Sequence, residues 1–413
     1  MLGDDEEAYV RLHRALDEPV SEDPLVARER AVRDAVRQRV AADVAPRAAQ
    51  LDRERGFVGA SYLSLATAGL AGLLFPRALG GTDDGTVAYA LAMEEIAAAC
   101  PATSLVYMTQ MHAAYPILIA GTEEAKKRYI PGLLNGRLYG SLAITEPSAG
   151  SDVSSLRTSA RRDRLQPGYR INGSKMFITT GDVADVIICF ATTDAEQRRS
   201  GVTAFVVEGS TAGVARGNPL RKMGMHGSGT VEIFFDDVAV PEENRLGGEG
   251  SGWQIAMRTV VKSRISAGAQ GVGIARGAYA NTLWALQHRF GQDVPGDIAA
   301  GLAELRGRLL EGRLLLHSVA RLVDRSENVP TASIAIMKQR CTDLGLGSAL
   351  MAARLLGDLG DRSEVGVERY VRDAKVTQIY DGTNQIQRLI IAREFRGHVA
   401  GRESGRGADE QWS

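Results

Sequence analysis

The 413-residue sequence contains few cysteines and histidines, and neither residue type is clustered. The three cysteines, Cys100, Cys189 and Cys341, form no CxxC pair, which argues against a disulfide framework and a thiolate zinc site. We therefore expect reduced core thiols and a cytoplasmic protein. The six histidines show no HExxH or other ligand spacing, and GxSxG and Walker loops are absent. Metal-dependent and nucleotide hydrolysis are therefore unsupported, and no metal is expected.

An excess of charge and a long apolar run are also absent from the sequence. The chain has 49 basic and 50 acidic side chains, so its formal net charge is -1. A nearly neutral chain has little attraction for a polyanion, which disfavours nucleic-acid binding. No apolar run reaches the roughly 18 residues of a membrane helix, and the acidic start from Asp4 to Glu7 argues against a transit peptide. We expect no membrane association.

The spacing of apolar residues changes twice along the chain. Val32, Val36 and Val40 recur at helical spacing near the amino terminus. β-rich runs then follow, with Pro167-Gly168 and Asn172-Gly173 read as turns, before helical spacing returns after Trp253. We expect an α+β protein with four segments: a helical domain at 1–143, a β domain at 144–251, a helical bundle at 252–400 and a polar tail at 401–413.

Three separated motifs resemble those of the acyl-CoA dehydrogenase superfamily, in the same order and at the same spacing. They are AITEPSAGSD at 143–152, NGSKMFIT at 172–179 and RDAKVTQIYDGTNQIQ at 372–387. The likeness extends over roughly residues 30–396. It implies an N-terminal α-helical domain, a middle β domain and a C-terminal four-helix bundle. Because this fold also carries oxidases, monooxygenases and members of doubtful activity, function must be argued residue by residue.

The resemblance implies FAD-dependent formation of a Cα–Cβ double bond in an acyl thioester. Such a reaction needs a base, a site for enolate-like charge and a hydride acceptor. The resemblance places the base on Asp381, whose own backbone N–H would help bind the thioester carbonyl. Most relatives have glutamate there, and aspartate is shorter by about 1.5 Å. The alternative base position of some relatives, just before Arg264, is Ser263. Asp381 could instead be a helix N-cap.

By position, further residues would contact the flavin or the substrate. Those assigned to the flavin are Thr145, Ser151, Phe177, Thr179, Gly382, Thr383 and Gln385. Those assigned to the substrate are Ser151, Arg264, Met108 and His112. Three of these residues also have a plain structural interpretation: Arg264 as a helix-surface arginine, Thr179 as a strand threonine and His112 as a satisfied core histidine. A polar His112 in the acyl pocket would suit a hydroxylated or carboxylated acyl chain.

The sequence departs from its relatives where the adenine and pyrophosphate end of FAD would bind. Gln287 stands where an arginine is usual, and Arg289 is the nearest substitute. Arg354 replaces a glutamine, and Gly357-Asp358-Leu359-Gly360 replaces a Gly-Gly-x-Gly turn from the neighbouring subunit. Asp358 would disfavour phosphate. Arg289 or Arg354 could supply the missing charge, unless both are solvated.

The leading hypothesis is an FAD-linked dehydrogenase of an acyl-CoA or acyl-carrier thioester that passes electrons to an electron-transfer flavoprotein. The alternatives are a flavin-dependent monooxygenase of the same fold, which would not need a carboxylate at position 381, and a non-catalytic member. The resemblance also implies a homo-oligomer, a homotetramer built as paired dimers with FAD at the dimer interface, and the sequence does not distinguish this tetramer from a dimer.

Overall fold

The computed structural model describes residues 2–17, 26–326 and 328–399. The expected polar tail at 401–413 lies outside these residues. Helices form both ends of the described chain, and a single β-sheet lies between them. This confirms the expected α+β architecture of helix, sheet and helix.

The amino-terminal helices surround two almost fully buried ones. The helices are α1 (Glu6–Ala15), α2 (Ala27–Asp43), α3 (Ala45–Glu54), α4 (Gly59–Thr67), α5 (Gly85–Ala99), α6 (Pro101–Ala120) and α7 (Glu123–Leu134). Pro46, in the first turn of α3, separates α2 from α3, because proline is tolerated where a helix begins. Nearly every residue of α5 and α6 is buried, including polar side chains such as Glu94 and Gln110. They therefore form the centre of this layer.

The sheet has eight strands in the order β6-β7-β3-β2-β4-β5-β8, and β1 pairs in parallel with β4. The strands are β1 (Gly140–Ala143), β2 (Ser159–Arg162), β3 (Gly168–Thr179), β4 (Val186–Thr192), β5 (Val202–Glu208), β6 (Val214–Arg216), β7 (Thr230–Pro241) and β8 (Arg245–Leu246). β4 is buried along its whole length, which explains its continuous apolar sequence.

The expected turn at Asn172-Gly173 is wrong. These residues lie within β3, where the pairing with β7 shifts register between Ile171 and Gly173. The register shift is a β-bulge, and glycine is needed at this bulge because a Cβ at position 173 would lie 2.6 Å from Thr158 Oγ1. A second register shift, between Lys175 and Ile178, gives Phe177 a left-handed φ of 58°.

The carboxy-terminal helices pack closely around α8. They are α8 (Gly252–Phe290), α9 (Gly296–Arg325), α10 (Thr331–Leu356), α11 (Val367–Thr377) and α12 (Asn384–Val399). α8 approaches α10 at Gly271, where a Cβ would lie 2.3 Å from the carbonyl oxygen of Cys341. Glycine is therefore required for this close crossing. The crossing also brings the first half of α8 near the α11–α12 loop.

The three cysteines are free and buried, as expected. Within the described ranges, no helix combines the length and apolar composition needed to span a membrane. The same residues contain no group of three or more acidic, histidine or cysteine side chains arranged to hold a metal ion.

Candidate active site

The loop between α11 and α12 holds Asp381 in a left-handed backbone conformation, with φ of 55°. This conformation is uncommon for a non-glycine residue and persists where surrounding contacts fix it. The next carbonyl oxygen, that of Gly382, accepts hydrogen bonds from Lys338 Nζ at 3.0 Å and Gln387 Nε2 at 2.8 Å. Thr383 Oγ1 accepts from the Ile386 backbone N–H at 3.2 Å and so caps α12. The N-cap interpretation of Asp381 is therefore wrong.

The Asp381 carboxylate has an unused oxygen. Oδ2 is buried and has no hydrogen-bond partner among the described residues. Leaving such a group unpaired costs about 1–3 kcal/mol, so buried acceptors of this kind normally have partners. The arrangement fits an oxygen that receives a proton or contacts a ligand.

Two buried cations lie beside this loop. Arg264, on α8, is only 6% exposed, so its interpretation as a helix-surface arginine is wrong. Its Nε lies 3.5 Å from the Asp381 carbonyl oxygen; burial lowers the pKa of Arg264 to about 10, although Asp381 acts in the opposite direction. Lys338, on α10, also donates to Asn384 Oδ1 at 2.9 Å. Burial lowers the pKa of Lys338 to about 8, with Asp381 again opposing the shift.

Sequence reasoning missed Lys338. Its signal was a lone lysine close to the apolar residues Ile334, Ala335 and Met337 of α10, all of which are buried. A charged residue in such surroundings is rarely buried without partners, so its position alone could have indicated a functional or structural contact.

α6 presents Met108 and His112, one helical turn apart, and both are buried. His112 Nε2 has no hydrogen-bond partner among the described residues. The satisfied-core interpretation therefore does not hold for this atom. Burial lowers the pKa of His112, while the charge of Asp381 acts to raise it. Asp381, in the α11–α12 loop, is therefore near enough to α6 for its charge to act on the His112 imidazole.

A buried ion pair holds the first two motifs together in the β domain. Lys175 Nζ lies 2.7 Å from Glu146 Oε1 and also donates to the Ile144 carbonyl oxygen at 3.0 Å. Beside this pair, the backbone N–H of Met176 donates to the carbonyl oxygen of Thr145 at 2.8 Å. Thr145 is therefore fixed against β3, a constraint that sequence reasoning also missed.

The surface near the end of β3 suits a planar aromatic ligand. Phe177 is 59% exposed on its bulge, so its ring is accessible to a ligand. Thr179 is partly buried at the end of the strand, and Ser151 is exposed. The next residue, Thr180, hydrogen-bonds through Oγ1 to Thr109 Oγ1 on α6 at 2.8 Å. These residues fit the isoalloxazine end of a flavin.

The residues assigned to the adenine end form an ion pair. Arg289 Nη1 donates to Asp358 Oδ1 at 2.7 Å, and Arg362 Nη2 lies 3.5 Å from Asp358 Oδ2. The arginine hydrogen bond lowers the pKa of Asp358. Gln287 and Arg354 are exposed. Arg289 is therefore not simply solvated: its charge is partly compensated by the residue that replaces a glycine.

A separate cleft of about 530 Å³ lies outside this arrangement, beside α7 and the turn after β3. Its lining includes Arg128, Asp182, Glu208 and Arg216, but none of the residues assigned to the flavin or the substrate. The candidate site is thus defined by buried side chains between α6, α8 and the α11–α12 loop, next to the end of β3.

A helix–sheet–helix fold that carries a carboxylate with one buried, unpaired oxygen fits an oxidoreductase of the flavoprotein class. Models of the acyl-CoA dehydrogenase N-terminal, middle and C-terminal domains match residues 27–137, 141–238 and 250–395. The chain belongs to the acyl-CoA dehydrogenase family, which confirms the resemblance and the expected dehydrogenation of acyl thioesters.

Relatives match along nearly the whole chain. An acyl-CoA dehydrogenase of Bacillus subtilis is 39% identical over 89% of this chain and 97% of its own length. A cyclohex-1-ene-1-carbonyl-CoA dehydrogenase of Geobacter metallireducens is 38% identical over 87% of this chain and 96% of its own. The solved butyryl-CoA dehydrogenase of Megasphaera elsdenii, 33% identical, aligns with a TM-score of 0.86 and covers 90% of this chain and 99% of that one.

Proposed function

We propose that this protein is an FAD-dependent α,β-dehydrogenase of acyl thioesters in which Asp381 is the base. The main supporting observation is that the buried Oδ2 atom of Asp381 has no partner among the described residues. The backbone of Asp381 is also held in a left-handed conformation. A carboxylate in such a position is suited to proton abstraction, because general bases need an unobstructed lone pair directed at the substrate.

FAD, when bound, would supply the acceptor for the hydride that leaves Cβ. Phe177 would cover one face of the ring, and Thr179 would hydrogen-bond near N5. Thr145, Ser151, Gly382, Thr383 and Gln385 complete the proposed flavin contacts, and Arg289 and Arg354 would be available to the phosphates.

The chain itself would hold the thioester and move one proton. Asp381 Oδ2 would take the α-proton, while the backbone N–H of Asp381 would donate to the thioester carbonyl oxygen, where negative charge develops. Arg264, whose Nε lies 3.5 Å from the Asp381 carbonyl oxygen, would help to hold the backbone that carries the base. Ser151, Met108 and His112 would contact the substrate.

The wider biochemical setting is proposed from the family alone. We propose a cytoplasmic homo-oligomer, either a dimer or a tetramer, that passes electrons to an electron-transfer flavoprotein. The acyl carrier is CoA or an acyl carrier protein. Relatives named for butyryl and cyclohexene carbonyl thioesters show that this family takes both linear and cyclic acyl groups, so family membership does not fix the acyl group here.

The test is the visible spectrum of the purified protein with FAD, recorded under anaerobic conditions before and after thioesters are added. The panel should contain acyl-CoA and acyl-carrier forms of linear and cyclic acids. Bleaching of the flavin bands by a thioester is expected. The proposal would be wrong if no thioester bleaches the bound flavin but a reductase with NAD(P)H bleaches it. That result would indicate a monooxygenase.

A further inference from the structure

His112, on α6, keeps one hydrogen-bonding atom unused within range of the charge of Asp381, the candidate base. Its side chain is 5% exposed, and Nε2 has no partner among the described residues. Asp381 is the charged group that acts on the imidazole. Buried imidazole nitrogens normally have hydrogen-bond partners, so a ligand atom is the natural partner for Nε2.

Other neutral polar side chains affected by the charge of Asp381 already have partners. The Tyr89 hydroxyl lies 2.9 Å from Ser266 Oγ, and the Tyr380 hydroxyl donates to Gln270 Oε1. Within this set of side chains, two buried atoms remain unused: Asp381 Oδ2 and His112 Nε2. The first is assigned to the α-proton, which leaves the second for another atom of the substrate.

The position of His112 indicates which part of the substrate it would meet. α6 contacts the end of β3 through the Thr109–Thr180 hydrogen bond of 2.8 Å, next to Thr179. His112 lies three residues further along α6 from Thr109, close to one helical turn, on the same side as Met108. With Thr109 held near the flavin end of the site, His112, one turn further along α6, would meet acyl atoms beyond Cβ.

We infer that the protein acts on acyl thioesters whose acyl group carries an uncharged hydroxyl or carbonyl oxygen beyond Cβ, and that His112 Nε2 binds this oxygen. The inference deepens the proposed function and rests on it. A carboxylate is a poorer partner, because a buried imidazole is held neutral and Asp381 would repel a second anion. His112 is then a specificity residue: it binds the substrate but takes no part in the bond changes.

Binding of unreactive CoA thioethers tests this directly, since a thioether has no acidic α-proton and needs no turnover. The thioethers should be compared in pairs of equal chain length. One member of each pair carries a hydroxyl, and the other a methyl group, at the fourth, fifth or sixth carbon of the chain that replaces the acyl group. The FAD-loaded protein should bind one hydroxylated thioether at least tenfold more tightly than its methyl partner, because a site built for a hydroxyl rejects the analogue that lacks it.

Variants separate a specific contact from general packing. His112→Leu should abolish or reverse the preference for the hydroxyl, and His112→Gln should retain part of it. Met111→Leu, a change at the neighbouring buried residue of α6, should keep the preference of the unchanged protein. An unchanged preference in His112→Leu, or a methyl preference in the unchanged protein, would overturn the inference.

Failure of the proposed function would look different. If no thioester reduces the flavin but the hydroxylated thioether still binds through His112, dehydrogenation is wrong and the assignment of His112 survives. If thioesters reduce the flavin equally well with and without the hydroxyl, the inference about His112 is wrong and the proposed function stands. If neither member of any thioether pair binds, the inference is overturned.

Discussion

Lys338 Nζ donates a hydrogen bond of 3.0 Å to the carbonyl oxygen of Gly382, the residue that follows Asp381. The lysine is buried on α10, and it also donates to Asn384 Oδ1, at the start of α12. A single ammonium group therefore ties the residue after the proposed base to the start of α12. The geometry assigns Lys338 a positioning role, because it acts through Gly382 and not on the substrate.

This contact predicts a fall in kcat/KM as the pH rises through about 8, the pKa to which burial lowers Lys338. Above that pH the ammonium loses its charge, and its hydrogen bonds to Gly382 and Asn384 weaken. Lys338→Arg should move the alkaline limb to higher pH, since the pKa of arginine exceeds 12. Lys338→Met should lower activity and remove the limb. A limb near pH 8 that persists in Lys338→Met would contradict the assignment.

Stability should change with pH in the opposite direction. The pKa of Lys338 is about 8 in the folded protein and about 10.4 in an unfolded chain. Between these values the unfolded state binds more protons, so this group makes the free energy of unfolding rise with pH. Urea titrations at pH 8 and pH 10 should therefore give a change in the free energy of unfolding that is more positive in the unchanged protein than in Lys338→Met.

The Glu146–Lys175 pair predicts a strong effect on stability. Lys175→Met would leave a buried carboxylate without its cation, which typically costs about 3–5 kcal/mol. Adding Glu146→Gln should recover part of this loss, because the uncompensated charge is removed. Urea denaturation measures both changes, and the exposed Lys127→Met is a control expected to change stability by less than about 0.5 kcal/mol. Equal effects of the two lysine variants would contradict a structural ion pair.

The Arg289–Asp358 pair predicts that Asp358 weakens the binding of FAD. Asp358→Asn would remove a negative charge and free Arg289 for phosphate, so the Kd for FAD should fall by about three- to tenfold. Arg289→Gln should raise the Kd. Fluorescence titration of the flavin-free protein measures both effects, with Asp361→Asn as an exposed control in the same region. If the unchanged protein and the three variants all bind FAD with the same Kd, the FAD phosphates do not bind at Arg289 and Asp358.

The sequence was sufficient to predict the three-part fold, because each part has its own apolar period and the three motifs are long. The Asn172-Gly173 pair was misread, since a bulge and a turn both favour glycine and differ only in what lies opposite. Local sequence does not contain that information.

Within the site, the motif located Asp381 but not the atoms that surround it. Lys338 lies 43 positions before Asp381 in the sequence, and its contact with Gly382 depends on how α10 packs against α12. The unpaired state of His112 Nε2 likewise depends on neighbours from other helices. Contacts of this kind follow from tertiary packing, which neither periodicity nor residue type specifies.

The central claim, that Asp381 is the base, is tested most directly by the rate of flavin reduction in Asp381→Asn. Stopped-flow absorbance would follow the FAD-loaded variant with the thioester that bleaches the unchanged protein fastest, after equal FAD content and unfolding midpoints are verified. Asparagine keeps the size and polarity of the side chain but cannot accept the α-proton, so the rate should fall by about 100- to 10,000-fold. A rate within about threefold of the unchanged protein would show that another group removes the proton.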